Sequence, residues 1–415
     1  MKILIYSANF APEPTGIGKY SGEMAQWLAS QGHEVRVIAA PPYYPNWELA
    51  EGYKAPIYRR EQWKGVDVWR APLWVPRNPG GLKRVLHLLT FGLSSLPIAL
   101  WQATWRPDVV LCVAPALVTA PAAFTVARLC GARAWLHIQD FEVDVAFQMG
   151  LLQGSVPRRV VSWFEQRLLR RFDVVSSISD RMVGRLIKKG VLPGKVRSFP
   201  NWVDISQVQP LNRPSSYRRE LGISDDTKVV LFSGSLGGKQ GLTVIPETAR
   251  LLTHRQDILF VIGGEGVMKA DLQEASQGLS NVRFLPLQPM ERLGDWLGLA
   301  DIQLLPQSPE AEDLVLPSKL AGMLASGKPV VATCRPGTEL ARVVSTCGEV
   351  VAPEDAAALA GAIEKLADAP EERAAKGAVA RRYAEDRLGL QGVLKQFELD
   401  CLDLLPHLAV QEAHQ

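Results

Sequence analysis

The chain has 415 residues, more than one hydrophobic core usually serves, and the length suits two domains. Its 47% hydrophobic and 21% charged residues exclude a disordered or low-complexity protein. The net charge of +3 excludes a polyanion or a uniformly basic protein but hides an asymmetry: residues 1–205 carry 25 Lys and Arg against 15 Asp and Glu, and the remainder 21 against 28. A basic first half suits an anionic surface, such as lipid headgroups or a lipid pyrophosphate. Five cysteines stand singly (Cys112, Cys130, Cys334, Cys347, Cys401), with no C-x-x-C pair and no zinc spacing, which fits a reducing compartment.

Met1 to Phe10 (MKILIYSANF) reads as a strand rather than a signal peptide. Ala11 to Tyr20 (APEPTGIGKY) reads as a Pro/Gly-rich loop, Ser21 to Ser30 as a helix with Met24, Trp27 and Leu28 on one stripe, and Val35 to Ala40 as the next strand. The glycines Gly16, Gly18 and Gly22 give G-x-G-x-x-x-G, not the dinucleotide spacing. Such a loop at the carboxyl end of a parallel strand presents bare amides to an anion such as a diphosphate, and it can equally be a tight turn. Further strand-like runs are Val66–Arg70, Val109–Val113, Ala134–His137 and Val174–Ser177, with helical patterns between most of them. Val85 to Trp105 has no charged residue over 21 positions. It is long enough to span a bilayer, but its polar residues and Pro97 favour one or two helices either part-buried or lying at a membrane surface. Trp74, Arg77, Lys83 and Arg84 just before it suit an interfacial anchor.

A Pro/Asn/Ser-rich passage from Pro200 to Ser216 reads as a linker, followed by a short helix at Tyr217–Leu221. The alternation then restarts with Val229–Ser233, Ile258–Ile262, Val282–Leu285, Ile302–Leu305, Val330–Ala332 and Glu349–Val351. Ala356 to Leu405 reads as helical, its last part crossing back onto the first domain. The expectation is therefore α/β: two Rossmann-like, doubly wound parallel-sheet domains, at 1–205 and 206–390, with a C-terminal helix and tail at 391–415. Ligands bind at the carboxyl ends of the strands, so both sets of loops are expected to line a cleft.

Four blocks occur in order: P-T-G-I-G-K-Y near the start, L-H-I-Q-D-F-E-V-D at 136–144, S-G-S-L-G-G-K-Q-G-L at 233–242 and P-S-K-L-A-G-M-L-A-S-G-K-P-V at 317–330. Together they resemble the retaining GT-B glycosyltransferases of family 4 over essentially the whole chain, the last two blocks most like the exopolysaccharide branch. The resemblance implies transfer of a sugar from a nucleotide diphosphate (a GDP-sugar, or alternatively a UDP-sugar) to a lipid-linked saccharide at an anionic membrane surface. It also implies a cytoplasmic protein peripheral on the inner face of a bacterial plasma membrane. A nucleotide-sugar 2-epimerase of the same fold and an inactive sugar-nucleotide-binding partner protein are the alternatives.

The chemistry needs a leaving diphosphate stabilised as charge builds on it, which Arg, Lys and helix-terminal amides do without a metal. No convincing Asp-x-Asp loop is present, so neither a metal nor another cofactor is expected. Gly16 and Gly18 would let the backbone approach the diphosphate or acceptor. The resemblance places His137 beside the donor sugar, often through its backbone, against a core histidine at a strand end. Asp140 or Glu142 would bind or deprotonate the acceptor hydroxyl, although the leaving phosphate oxygen is often assigned as the base. In the second domain, the expected donor residues are Gly234, Ser235, Lys239, Gln240, Gly264, Glu265, Leu287, Leu314, Pro317, Ser318, Lys319 and Leu320.

Two departures from the wider family stand out. Many members carry Arg and Lys where this chain has Ser235 and Gln240, which moves the cationic load to Lys319, in the first turn of a helix opened by Pro317-Ser318. Lysine there opposes the helix dipole unless an anion is bound. The family's Glu-x7-Glu pair falls on Leu314 and Gly322; either Glu312 and Asp313, just before the first position, substitute for it, or the donor has fewer hydroxyls at that edge, such as the 6-deoxy sugar of GDP-fucose.

Overall fold

The computed structural model describes residues 1–77, 80–115, 117–144, 155–309 and 316–405, the side chains of 155–157 and of Lys239 excepted. The chain divides into two compact units, Met1–Pro200 with Leu394–Gln415, and Asn201–Val393.

The first unit runs β1 (Lys2–Ser7), α1 (Gly16–Ser30), β2 (Glu34–Ala39), β3 (Arg59–Trp63), β4 (Val66–Arg70), α2 (Gly81–Gln102), β5 (Val109–Ala114), α3 (Ala120–Cys130), β6 (Arg133–Ile138), α4 (Ser155–Leu169), β7 (Val174–Ser177), α5 (Asp180–Lys188) and β8 (Val196–Ser198). Its sheet has the order β3-β4-β2-β1-β5-β6-β7-β8. Every neighbouring pair is parallel except the β3–β4 hairpin. Strands such as β5 are buried on both faces, which is why they read as unbroken apolar runs rather than alternating ones. The chain leaves β1 for one side of the sheet and later returns to the other through β5, so the switch point lies at the β1–β5 pair.

The second unit runs α6 (Ser216–Glu220), β9 (Lys228–Ser233), α7 (Val244–Leu251), β10 (Ile258–Gly263), α8 (Lys269–Ala275), β11 (Val282–Leu285), α9 (Leu293–Gly298), β12 (Ile302–Pro306), α10 (Lys319–Ala325), β13 (Val330–Thr333), α11 (Glu339–Cys347), β14 (Gly348–Val351), α12 (Ala356–Asp368) and α13 (Pro370–Leu388). All neighbours in its sheet, ordered β11-β10-β9-β12-β13-β14, are parallel, and its switch point is the β9–β12 pair. The last helix, α14 (Leu390–Asp403), starts beside Val203 in the second unit and from Leu394 onward belongs to the first. There Phe397 packs on Trp135 and stacks on Phe199, both at 4.8 Å between ring centroids.

Two strands escape the sequence pattern. Arg59–Trp63 is polar and charged because it is an antiparallel edge, paired through the Lys64–Gly65 turn, whose residues both have positive φ. Val196–Ser198 is a three-residue edge beside β7. The apolar run near 85–105 forms one helix, α2, with Pro97 inside it.

The opening loop is shorter than the sequence suggests, since α1 begins at Gly16 and takes the G-I-G run into its first turn. The reason is Glu13, only 4% exposed. Its Oε1 accepts the backbone amides of Tyr43 (3.1 Å) and Tyr44 (3.0 Å), and its Oε2 accepts Asn9 Nδ2 at 3.0 Å. Burial raises the Glu13 carboxyl above the usual range, and these hydrogen bonds pull it back. A Cβ at position 18 would lie 2.3 Å from Glu13 Oε2, so the glycine leaves the space that the carboxylate fills. Gly18→Ala should therefore cost about 1–3 kcal/mol in urea unfolding. Gly184→Ala, in the open interior of α5, should be neutral or gain up to about 1 kcal/mol. Equal effects of the two would show that Glu13 yields freely.

Candidate functional site

In the second unit the loops after β9 and β10 are laced together, main chain to main chain. Gly234 N donates to Gly263 O (2.9 Å), Leu236 N to Glu265 O (2.9 Å), and Gly264 N to Leu285 O at 3.1 Å. Gly264 has φ +155°, and a Cβ there would lie 1.8 Å from the Gly234 carbonyl oxygen, so no other residue permits this approach. The Trp296 ring lies under Gly263, and its Nε1 donates to Ser233 Oγ at 2.8 Å, which fixes the carboxyl end of β9.

Lys319 stands over this platform. It is the first residue of α10, after Pro317 and an exposed Ser318 whose side chain makes no cap hydrogen bond. Leu320, next to it, is fully buried and pins the helix to the core. Lys319 Nζ donates to Gln240 Oε1 at 2.6 Å and lies 4.2 Å from the centroid of the Phe232 ring, a cation–π contact. Its Nζ is 3.6 Å from where a Gly234 Cβ would be. No described carboxylate pairs with it, and burial alone pushes its pKa down to about 7. Among the described residues this ammonium has no counter-ion.

The other expected donor residues divide. Gln240 is engaged by Lys319, and Ser235 is exposed on the rim of the glycine loop. Glu265 is exposed and spends its carboxylate on Lys269 at 2.7 Å. Leu287 is exposed after β11, while its neighbour Gln288 is held by Tyr217 OH at 2.9 Å. The side chain of Lys239, and Leu314 altogether, lie outside the described residues. Gly322, at the second position of the family's acidic pair, packs towards Leu297.

In the first unit, Gly16 and Gly18 open α1 at the switch-point strand, and Gly16 has φ +60°. His137 is different from the catalytic reading. Its ring is 3% exposed, faces Phe199, and meets Ser176 Oγ at 2.9 Å through Nδ1. Trp135 Nε1 donates to the same Oγ at 2.8 Å, so the Ser176 hydroxyl is held between the two rings. Burial lowers the imidazole to about 3, so the ring is neutral in the unliganded protein. Strand alternation explains this: Trp135 and His137 point to the face on which Phe397 and Phe199 lie. Only the main chain of His137 runs toward the strand end.

Asp140 lies two residues past β6 and is part-exposed. Glu142 Oε2 accepts the Leu117 amide at 2.6 Å, and Asp144 pairs with Arg185 (3.0 Å) and Lys189 (3.1 Å), so the alternating carboxylates are largely loop fastenings. Among the described residues no group of three His, Cys, Asp or Glu is placed to hold a metal. Phe232, Trp296 and Glu13 were not singled out by sequence. The first two read as ordinary core residues, and nothing in the pattern tells an aromatic under a lysine from one under a leucine.

Comparison with known proteins identifies the family. The profile "Glycosyl transferase 4-like domain" matches residues 15–202, and "Glycosyl transferases group 1" matches residues 227–369. The colanic acid biosynthesis glycosyl transferase WcaI of Escherichia coli (strain K12) is 42% identical over 407 residues, covering 96% of this chain and 98% of that protein. Among solved structures, sucrose-phosphate synthase of Thermosynechococcus elongatus superimposes with a TM-score of 0.73 at 16% identity, over 98% of this chain and 99% of that one. HepE of Anabaena, solved with UDP and glucose, gives 0.67 at 16% identity, over 98% and 100%. The chain belongs to the family 4 glycosyltransferases of the GT-B fold.

Proposed function

We propose that the chain is a retaining transferase of exopolysaccharide biosynthesis of the colanic acid type. It moves a sugar from a nucleotide diphosphate to a lipid-pyrophosphate-linked saccharide at the cytoplasmic face of the plasma membrane. The observation that carries the reading is Lys319, a part-buried ammonium without a described carboxylate, set beside the bare main chain of Gly234. A donor diphosphate supplies the missing negative charge. As the bond from the sugar C1 to the phosphate oxygen breaks, charge grows on that oxygen, and Lys319 stabilises it in a poorly hydrated site. The acceptor hydroxyl attacks C1 from the same face and gives its proton to the departing phosphate oxygen, which dispenses with a protein base. His137, neutral and enclosed, is consistent with that economy. No metal is needed in this scheme, because the lysine carries the charge.

GDP-fucose is the donor we favour. The relative WcaI belongs to colanic acid synthesis, and Leu314 and Gly322 stand where the wider family uses carboxylates to hold sugar and ribose hydroxyls. HepE, solved with UDP-glucose, keeps UDP-sugars in the comparison.

Three measurements test this reading. In a thermal-shift panel of GDP-, UDP- and dTDP-sugars, GDP-fucose should stabilise most, by about 2.7 kcal/mol at a hundredfold excess over Kd; no shift with any nucleotide sugar would refute donor binding. Lys319→Ala should lower transfer about 10²–10³-fold, with Lys319→Arg recovering part of it, and leave the unliganded fold intact. Binding of a nucleotide sugar, whose diphosphate stays ionised throughout, should respond to pH through Lys319. The free ammonium has a pKa of about 7, and the bound anion raises it, so binding takes up a proton between the two values. Affinity should therefore fall above pH 7, by up to about tenfold per pH unit. Calorimetry in buffers of differing ionisation enthalpy reads the proton, and a flat wild-type profile, or a pH dependence that persists in Lys319→Ala, would remove the lysine from the site.

A further inference from the structure

One face of the first unit's sheet is covered by α2, α3, α4 and α5, whose inward residues Phe91, Ala99, Ala123, Leu169 and Leu186 share a core cluster with Leu4, Cys112 and Leu136 of the strands. The outward side of three of these helices is unusual. In α2 the buried stripe is His87, Phe91, Ser95, Ala99 and Gln102. The opposite stripe is Leu82, Leu86, Leu89, Leu93, Leu96 and Leu100, at spacings of four, three, four, three and four, and every member is exposed, Leu93 at 72%. The helix therefore packs by one face and shows a leucine seam with the other, where a soluble surface helix is polar.

The neighbouring helices repeat the pattern. In α3, Leu129 is exposed next to Arg128, and in α4, Val160, Trp163 and Phe164 are exposed, Trp163 at 61%. Trp101 in α2 and Trp74 just ahead of it add two more exposed indoles. Exposed charge on the three helices themselves has one sign. Lys83, Arg84, Arg128, Arg159 and Arg167 are all exposed on the three helices. Their single carboxylate, Glu165, is buried against Lys189 at 2.6 Å and offers nothing to the surface.

By length and composition α2 could cross a membrane. Its place in the fold argues otherwise: it links β4 to β5 in one sheet and buries a continuous stripe on that sheet. We infer that α2, α3 and α4 form a membrane-docking face that lies on a bilayer containing anionic phospholipid, with the leucine seam and the Trp163–Phe164 pair in the interfacial layer and the cations on phosphate headgroups. Apolar side chains supply insertion, indoles suit the headgroup level, and a cationic rim without exposed acid is attracted to anionic lipid and not to zwitterionic lipid. A second copy of the chain is the poorer occupant, because two-fold pairing of this face sets cations against cations with no carboxylate to match them. The inference rests on the proposed membrane-linked acceptor but names the surface that reaches it.

The test is flotation of the full chain with vesicles of phosphatidylcholine alone and of phosphatidylcholine with phosphatidylglycerol, alongside sedimentation of the free protein. The wild type should float with the anionic vesicles only and be weakened by salt. The double variant Leu93→Glu/Trp163→Glu changes two exposed positions. It should lose about tenfold in bound fraction while keeping its melting temperature and its donor-induced shift. Wild-type binding unaffected by the double variant, or no binding to anionic vesicles, would overturn the proposal. So would a concentration-dependent dimer that the variant dissolves, since the face would then belong to a second copy. Transfer to a short soluble acceptor is measured in parallel. Activity without vesicle binding sinks the docking face alone, and vesicle binding without transfer sinks the assigned activity alone.

Discussion

An ammonium drawn out of water with no described acid beside it is the constraint around which the second unit is organised. Lys319 is held by a ring, an amide oxygen and a backbone, three partners that orient a cation without neutralising it. Neighbouring features serve that placement. Gly264 lets two loops touch, so that β9 and β10 end in one rigid shelf; Trp296 props the shelf from below; and Leu320 locks the helix that delivers the lysine. A carboxylate in place of Gln240 would make a stable ion pair and a poor phosphate site, since the donor would first have to break it.

The first unit solves the opposite problem. There a carboxylate is buried, and its partners are donors: two backbone amides and an asparagine. Glu13 spends its charge on the shape of the loop, which leaves the amides at the start of α1 uncommitted to it. The buried carboxylate of the first unit is thus fully engaged by donors, whereas the buried ammonium of the second is met by a ring and an amide oxygen without a described opposite charge.

Much of the architecture was legible in the sequence because parallel strands buried on both faces leave continuous apolar runs, and helices between them leave periodic ones. The runs at Val109–Val113, Ile258–Ile262 and Val330–Ala332 each correspond to a strand, whereas Arg59–Trp63, an exposed edge with charged residues, left no such trace. At the site, Lys319 could be argued from the helix signal at Pro317-Ser318, since local chemistry fixes a helix start. His137 could not be read in the same way. Which face of a strand a histidine occupies depends on what covers that face, and here the cover is Phe199, 62 residues further along the chain, itself stacked on Phe397. The outward seam of α2 had a partial signature in its missing charges, but the matching faces of α3 and α4 emerge only when the sheet brings three separate segments side by side.

The path of α14 makes the first unit depend on the last part of the chain. The sheet of the first unit is complete in sequence by Ser198, yet Phe397, which covers Trp135 and Phe199, leaves the ribosome almost 200 residues later. A nascent first unit must wait through the synthesis of the whole second unit with an aromatic patch uncovered, although domains otherwise tend to fold in order as they emerge. A chain that stops short of this helix lacks the ring that covers Trp135 and Phe199.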